Sequence, residues 1–191
     1  MCGIAGEFRF DGRTPEPDTL ARMLARLARR GPDAEGRHVD GAVQLGHRRL
    51  AIIDLSPRSA QPMIDAATGT ALVFNGTIYN YPELRAELIE RGHVFHSDGD
   101  TEVILRAYLQ WGEACVERLH GMFAFAIWNR ETLFLARDRL GIKPLYYSES
   151  GAAVRFASTP QALLAAGGVD TGIDAVALHH LFTLHAVVPA P

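Results

Sequence analysis

The sequence has only two cysteines, Cys2 and Cys115, in 191 residues. That excludes a disulfide-stapled secreted scaffold, and both read as free thiols in a reducing compartment. There is no long apolar run near the start, where Glu7, Arg9, Asp11 and Arg13 interrupt the first twenty residues. Neither a signal peptide nor a membrane span is expected, and the cytoplasm is the expected location. There is also no basic stripe interleaved with aromatics, and the net charge is −3, so nucleic acid is not expected as a partner. Repeats, low-complexity tracts and linkers are missing from the first 160 residues. One domain with one sizeable core is the default at 48% hydrophobic and 21% charged composition.

What is present begins at Cys2. Initiator methionine is normally trimmed when the next side chain is small, which would leave a thiol and a free α-amine on one residue. An α-amine has an unperturbed pKa of about 7.7–8.0, so near neutral pH it can carry the thiol proton to a leaving group. A cysteine inside a chain must borrow a histidine for that task. The plain alternative, a small apolar residue opening a buried strand, has equal standing on position alone, because free cysteine is among the most buried residue types.

Residues 4–10, bounded by Asp11-Gly12, suit a first strand that carries Cys2 at its start. Asp18 is placed to cap a helix in which Leu20, Met23, Leu24 and Leu27 recur at helical spacing, and Gly31-Pro32 stops it. Strands are expected at 43–47, at the β-branched run 51–53 and at 71–74, the last ending at Asn75-Gly76. Pro82 opens a helix through Leu84 and Leu88 that Gly92 closes. Residues 101–111 put Val103, Ile104, Ala107, Tyr108 and Trp111 on one helical face, and Cys115 beyond them reads as a packed thiol. Residues 122–128 and 133–136 read as antiparallel strands joined across Asn129-Arg130-Glu131, followed by strands at 145–147 and 154–157 and helices at 160–166 and 174–185. Consecutive strands with helices outside them give an α+β chain of stacked antiparallel sheets. The apolar, extended Val187-Val188-Pro189-Ala190-Pro191 reads as the end of a piece cut from something longer.

Seven motifs then occur in order: Cys2-Gly3-Ile4-Ala5-Gly6, Arg30-Gly31-Pro32-Asp33, the run from Gly46 to Asp54, Asn75-Gly76-Thr77-Ile78-Tyr79-Asn80, Asp100-Thr101-Glu102, Gly121-Met122-Phe123-Ala124-Phe125-Ala126, and the run from Arg137 to Tyr147. Together they resemble the glutaminase domain of asparagine synthetase-type enzymes, which are class II glutamine amidotransferases. The resemblance implies the N-terminal nucleophile hydrolase fold, an αββα sandwich of two antiparallel sheets flanked by helices. It implies a glutaminase domain over 2–160 and a C-terminal helical extension over 161–191, leading to a synthetase domain that this chain does not contain. Phe156-Ala157-Ser158-Thr159 and the run from Leu178 to Pro189 are similar to a narrower branch associated with N-acetylglutaminylglutamine amide synthesis.

The activity implied by the resemblance is hydrolysis of glutamine to glutamate and ammonia. The ammonia would pass to an ATP-dependent synthetase domain that amidates a carboxylate. Cys2 is the implied nucleophile, and the Asn75 side chain and Gly76 N–H are the implied oxyanion donors, where close backbone approach is easiest without a Cβ. Free glutamine is a zwitterion, and by family position Arg49 takes its carboxylate and Asp100 its ammonium, with backbone around Leu50 and Ile53 completing the pocket. The plain readings are a hairpin turn for Asn75-Gly76 and exposed surface charges for Arg49 and Asp100. Arg30 and Arg48 receive no catalytic role. No cofactor and no metal is expected in this chain; ATP and Mg are expected in the synthetase domain. Glutamine and that synthetase domain are the expected partners, with a homodimer as an option.

Two positions depart from the family's common forms: Thr77 stands where glutamate is usual, and Ala34 where tryptophan often follows Gly-Pro-Asp. Gly167-Gly168-Val169-Asp170 imitates a phosphate-gripping loop but follows a helical stretch instead of a strand, so it reads as a glycine stop. His179, His180 and His185 include no i, i+4 pair, which argues against a metal. Three rivals remain: asparagine synthetase itself with aspartate as acceptor, a non-hydrolysing docking module, and an N-terminal-nucleophile peptidase or acylase. The last would want an apolar pocket in place of Arg49 and Asp100.

Overall fold

A computed structural model of the chain describes residues 1–185. The tail at 187–191 and the end of the narrower-branch motif lie outside the described residues. β1 (Gly3–Arg9) starts directly after Cys2, and its first five residues are buried. α1 (Pro17–Leu27) buries Leu20, Met23, Leu24 and Leu27, the stripe expected from their spacing. Asp18 is not its cap. Glu16 takes that position without a side-chain hydrogen bond, Pro17 supplies the first-turn φ, and Asp18 sits in the first turn, where a negative charge suits the helix dipole.

β2 (Ala34–Asp40) had no signal in the sequence, because it is an edge strand whose positions are only exposed or half-buried. It pairs with β3 (Val43–Arg49). The run 51–53, expected as a strand, is an unpaired loop in which Ile52 is 71% exposed. Its β-branched residues do not enter the core; Ile52 and Ile53 line a cavity instead. β4 (Met63–Ile64) is a two-residue edge beside β5 (Ala71–Ile78). α2 (Tyr81–Glu90) and α3 (Asp100–Trp111) follow, then β6 (Gly121–Trp128), β7 (Leu133–Arg137), β8 (Tyr146–Ser150) and β9 (Ala153–Ala157). β5 does not end at Asn75-Gly76. It continues to Ile78, with Asn75 opposite Ala124 and Gly76 opposite Phe123 of β6, so the hairpin-turn reading of Asn75-Gly76 falls.

α4 (Pro160–Ala166) is capped by the Thr159 hydroxyl and ends at Gly167, whose φ of +80 is a conformation that favours glycine. This is the glycine stop expected there. α5 (Ala175–Leu184) starts at Asp174, whose carboxylate accepts from the Val176 and Ala177 N–H groups, and it buries no side chain.

All strand pairs are antiparallel and form two sheets, ordered β2-β3-β1-β9-β8 and β4-β5-β6-β7. Ile4, Val43, Leu45, Val73, Ala126 and Phe156 fill the space between the sheets. α1 and α4 cover the outer face of the first sheet through Leu20, Met23, Leu24 and Leu163. α2 and α3 cover the second through Leu88, Val103 and Ile104 against Phe74 and Phe125. The layers are α, β, β, α, as the motifs implied. Cys115 is fully buried in that last layer, and burial pushes its thiol up to about 12, the behaviour of a packed and inert residue. No helix among the described residues is long and apolar enough to cross a membrane.

Candidate active site

Pairing of β1 with β3 places Gly3 opposite Arg48, and so carries Cys2 to the end of β3, beside Arg49 and Leu50. The Leu50 N–H donates to the Cys2 sulfur at 3.3 Å, and the thiol lies 3.5 Å from the Leu50 carbonyl. Burial pushes the Cys2 thiol up; the Leu50 hydrogen bond, the N-terminal ammonium and Arg49 pull it back. The Cys2 carbonyl is held by Arg30, whose Nε donates at 3.0 Å. The sequence assigns Arg30 no catalytic role, and the fold gives it this contact with the backbone of Cys2. The rest of the Arg30 motif is also explained by contact: a Cβ on Gly31 would collide with the Arg48 backbone, and the Asp33 carboxylate accepts the Ala51 N–H at 2.8 Å.

All seven residues expected at the site, Cys2, Arg49, Leu50, Ile53, Asn75, Gly76 and Asp100, line one cavity of about 140 Å³. Pockets for drug-sized ligands run to roughly 300–1,000 Å³, so this one suits an amino acid. Asn75 is 1% exposed on β5, and its side-chain NH₂ has no partner among the described residues. A buried donor without an acceptor costs about 1–3 kcal/mol, which is tolerable where a ligand oxygen completes it. Gly76 is also required by packing. A Cβ there would strike the Met122 carbonyl, and would come within 2.7 Å of the Phe74 ring and 2.8 Å of the Phe123 Cα, so the close approach is made by the neighbouring strand. Gly76→Ala should therefore lower stability by about 1–3 kcal/mol through overpacking, seen as a reduced thermal midpoint before any effect on activity is considered.

Arg49 is half-buried and not a free surface charge. Its Nη2 donates to the carbonyls of Asp54 and, at 3.1 Å, Ser56, while its Nε and Nη1 make no hydrogen bond among the described residues. Asp54 ties down that loop in turn: its carboxylate accepts from the Ser59 hydroxyl and from the Ser56 and Asp98 N–H groups, which hold it well below the usual carboxylate range. Asp100 is 5% exposed at the first position of α3 and accepts the Ile78 N–H at 3.0 Å. Burial outweighs its hydrogen bonds and raises it to about 6.

The sign of that shift gives a testable pH dependence. An ammonium ligand needs the carboxylate, so KM for an amino-acid substrate should rise about tenfold between pH 7 and pH 5 as Asp100 takes up its proton. Because the folded state binds this proton more tightly than an unfolded aspartate near 3.9, the cost of the buried charge appears as pH rises from about 4 through 6. Asp100→Asn should thus melt no lower than the wild type at pH 7–8 while binding substrate poorly, which thermal unfolding and a KM measurement would check.

The sequence did not point to Gln61, Asp54, Met122 or Lys143, all of which line the same cavity. Gln61 bridges its walls, accepting the Phe74 N–H and donating to the Thr101 hydroxyl. The two departures from the family's common forms both border the site: Thr77 lines the cavity, and Ala34 pairs with Arg49 across β2 and β3.

The chain matches the family described as glutamine amidotransferase domain over residues 1–191. It is 41% identical over 189 residues to asparagine synthetase [glutamine-hydrolyzing] 3 of Bacillus subtilis, covering 96% of this chain and 31% of that protein. It is 44% identical over 212 residues to a putative asparagine synthetase [glutamine-hydrolyzing] of Mycobacterium tuberculosis, covering all of this chain and 32% of the relative. The chain thus spans about a third of the length of these relatives. Among solved structures it is similar to the glutamine phosphoribosylpyrophosphate amidotransferase of Bacillus subtilis, with TM-score 0.75 over 88% of this chain and 44% of that one; at 23% identity this likeness speaks for the fold alone. Whole-chain agreement with the domain, and relatives near 40% identity that share the asparagine synthetase description, bear out the resemblance carried by the seven motifs: the chain belongs to the glutamine amidotransferase domain family.

Proposed function

We propose that this chain hydrolyses glutamine to glutamate and ammonia with Cys2 as nucleophile. The observation that carries this is the meeting of the Cys2 thiol, the Asn75 NH₂ that has no partner among the described residues, Arg49 and buried Asp100 in one amino-acid-sized cavity. After removal of Met1, the Cys2 α-amine takes the thiol proton as the sulfur attacks the side-chain amide carbon. The Asn75 NH₂ and the Gly76 N–H receive the oxyanion. The amine then gives its proton to the departing nitrogen, which leaves as ammonia, and water hydrolyses the γ-glutamyl thioester to free glutamate and restore the thiol. Arg49 holds the α-carboxylate through its unengaged N–H groups, and Asp100 holds the α-ammonium. The pocket closes around Leu50 and Ile53.

By this reading the glutaminase domain is 2–160, and 161–191 leads to a synthetase domain of the same polypeptide, in the cytoplasm, where ATP and Mg serve amide formation on a carboxylate. A homodimer is compatible with it. The names of the relatives favour aspartate as the acceptor; Phe156-Ala157-Ser158-Thr159 favours N-acetylglutaminylglutamine. The test is to incubate the purified chain with glutamine and measure both products. Glutamate and ammonia in equal amounts, lost in Cys2→Ala, are expected; glutamate release no greater than in Cys2→Ala would refute the reading.

A further inference from the structure

Of the 19 lysine and arginine residues, 18 are arginine and one is lysine. That lysine, Lys143, is 8% exposed and lines the glutamine cavity. Its place follows from the turn between β7 and β8: the Asp138 carboxylate accepts the N–H groups of Phe123, Ile142 and Lys143, which pins the turn to β6 and directs the side chain inward. Among the described residues no carboxylate lies within 4.0 Å of its Nζ. Among the described residues its one hydrogen-bond partner is the Met1 thioether at 3.6 Å, a weak acceptor. A buried cation held only by a residue that processing removes is costly unless its charge serves the site.

We propose that Lys143 is a positioning residue for the nucleophile: its ammonium, set in the cavity wall beside the N-terminus, keeps the Cys2 α-amine in its unprotonated, proton-accepting form. This rests on the glutamine-hydrolysing reading of the cavity. Trimming Met1 removes the thioether and leaves Lys143 and the new N-terminal residue, Cys2, on the wall of one cavity. A like charge disfavours the protonated amine, so the amine can take the thiol proton at neutral pH. The other charges facing the cavity are Arg49 from the end of β3, Asp54 from the following loop and Asp100 from the start of α3; Arg30 reaches the Cys2 carbonyl. Asp54 is tied by three donors and Arg49 by two carbonyls, which leaves Lys143, among the described residues lining the cavity, as the cation with no carboxylate or carbonyl partner.

Two readouts test it, one of them independent of turnover. In a Cys2→Ala background, carbon-13 NMR of the introduced methyl group titrates the α-amine alone. Adding Lys143→Met should raise the amine's midpoint by about one pH unit, the low end for a nearby charge, whereas Lys143→Arg, which keeps the charge, should leave it near the parent value. In the active chain, Lys143→Met should move the acid limb of kcat/KM for glutamine upward by about the same amount, with little change in KM. Lys143→Gln serves as a second neutral replacement if the methionine disturbs packing, with far-UV circular dichroism to confirm the fold. An amine midpoint unchanged by both neutral variants would overturn the proposal. A parent chain that hydrolyses no glutamine would instead overturn the function proposed above, and the NMR titration would still report on Lys143.

Discussion

A chain that keeps Met1 is expected to hydrolyse glutamine about 10²–10⁴-fold more slowly than the trimmed chain, the range typical of losing a general acid and base. The means is a lysine inserted between Met1 and Cys2, because a bulky second residue blocks removal of the methionine. The thiol stays in the chain, but its amine becomes an amide with no basicity. Among the described residues no histidine lines the cavity to replace it: the buried His47 is not among the lining residues, and burial lowers it to about 4. Proton transfer from thiol to leaving nitrogen then has no carrier. Intact mass establishes which form is present, and glutamate release gives the rate. A chain with retained methionine that turned over at the wild-type rate would require a different base.

Asn75→Ala should lower kcat by about 10²–10³-fold with little change in KM, the signature of a donor used mainly in the transition state. The structural basis is the Asn75 NH₂, buried on β5 and without a partner among the described residues. That donor faces the cavity that Cys2 lines, where a developing oxyanion would satisfy it. Asn75→Asp should be at least as damaging, since an acceptor would then face the negative charge. If both variants instead raised KM and left kcat intact, Asn75 would be a ground-state binder and the oxyanion would have to be held elsewhere.

Much of this was legible in residue order, and the exceptions have physical causes. The helical stripes of α1 and α3 and the buried runs of β1, β5 and β6 were visible because each buries a face with its own period. β2 was invisible because its half-buried face carries Gly36, His38 and Asp40, so the strand shows no apolar alternation. The run 51–53 looked like a strand because Ile52 and Ile53 are β-branched, yet tertiary pairing decides strands, and these two residues border the cavity. Asn75-Gly76 carried a turn signal that β6 overrode by pairing with both residues. The site residues came from motif resemblance, and the structure brings all seven to one cavity. Arg30 and Lys143 sit inside motifs, but only the fold shows what they touch: Arg30 the Cys2 carbonyl and Lys143 the Met1 side chain, 28 and 142 residues away in sequence. Only folding makes those distances short.

The most direct test is the intact mass of the purified chain before and after exposure to the glutamine analogue 6-diazo-5-oxo-norleucine, with Cys2→Ala as control. A mass lacking methionine that gains a single adduct, with no gain in the control, is the predicted result: it requires a processed N-terminus, a reactive Cys2 and a pocket that selects a glutamine-shaped ligand. A trimmed, folded chain that takes no adduct, or one labelled equally with Cys2 replaced, would contradict it.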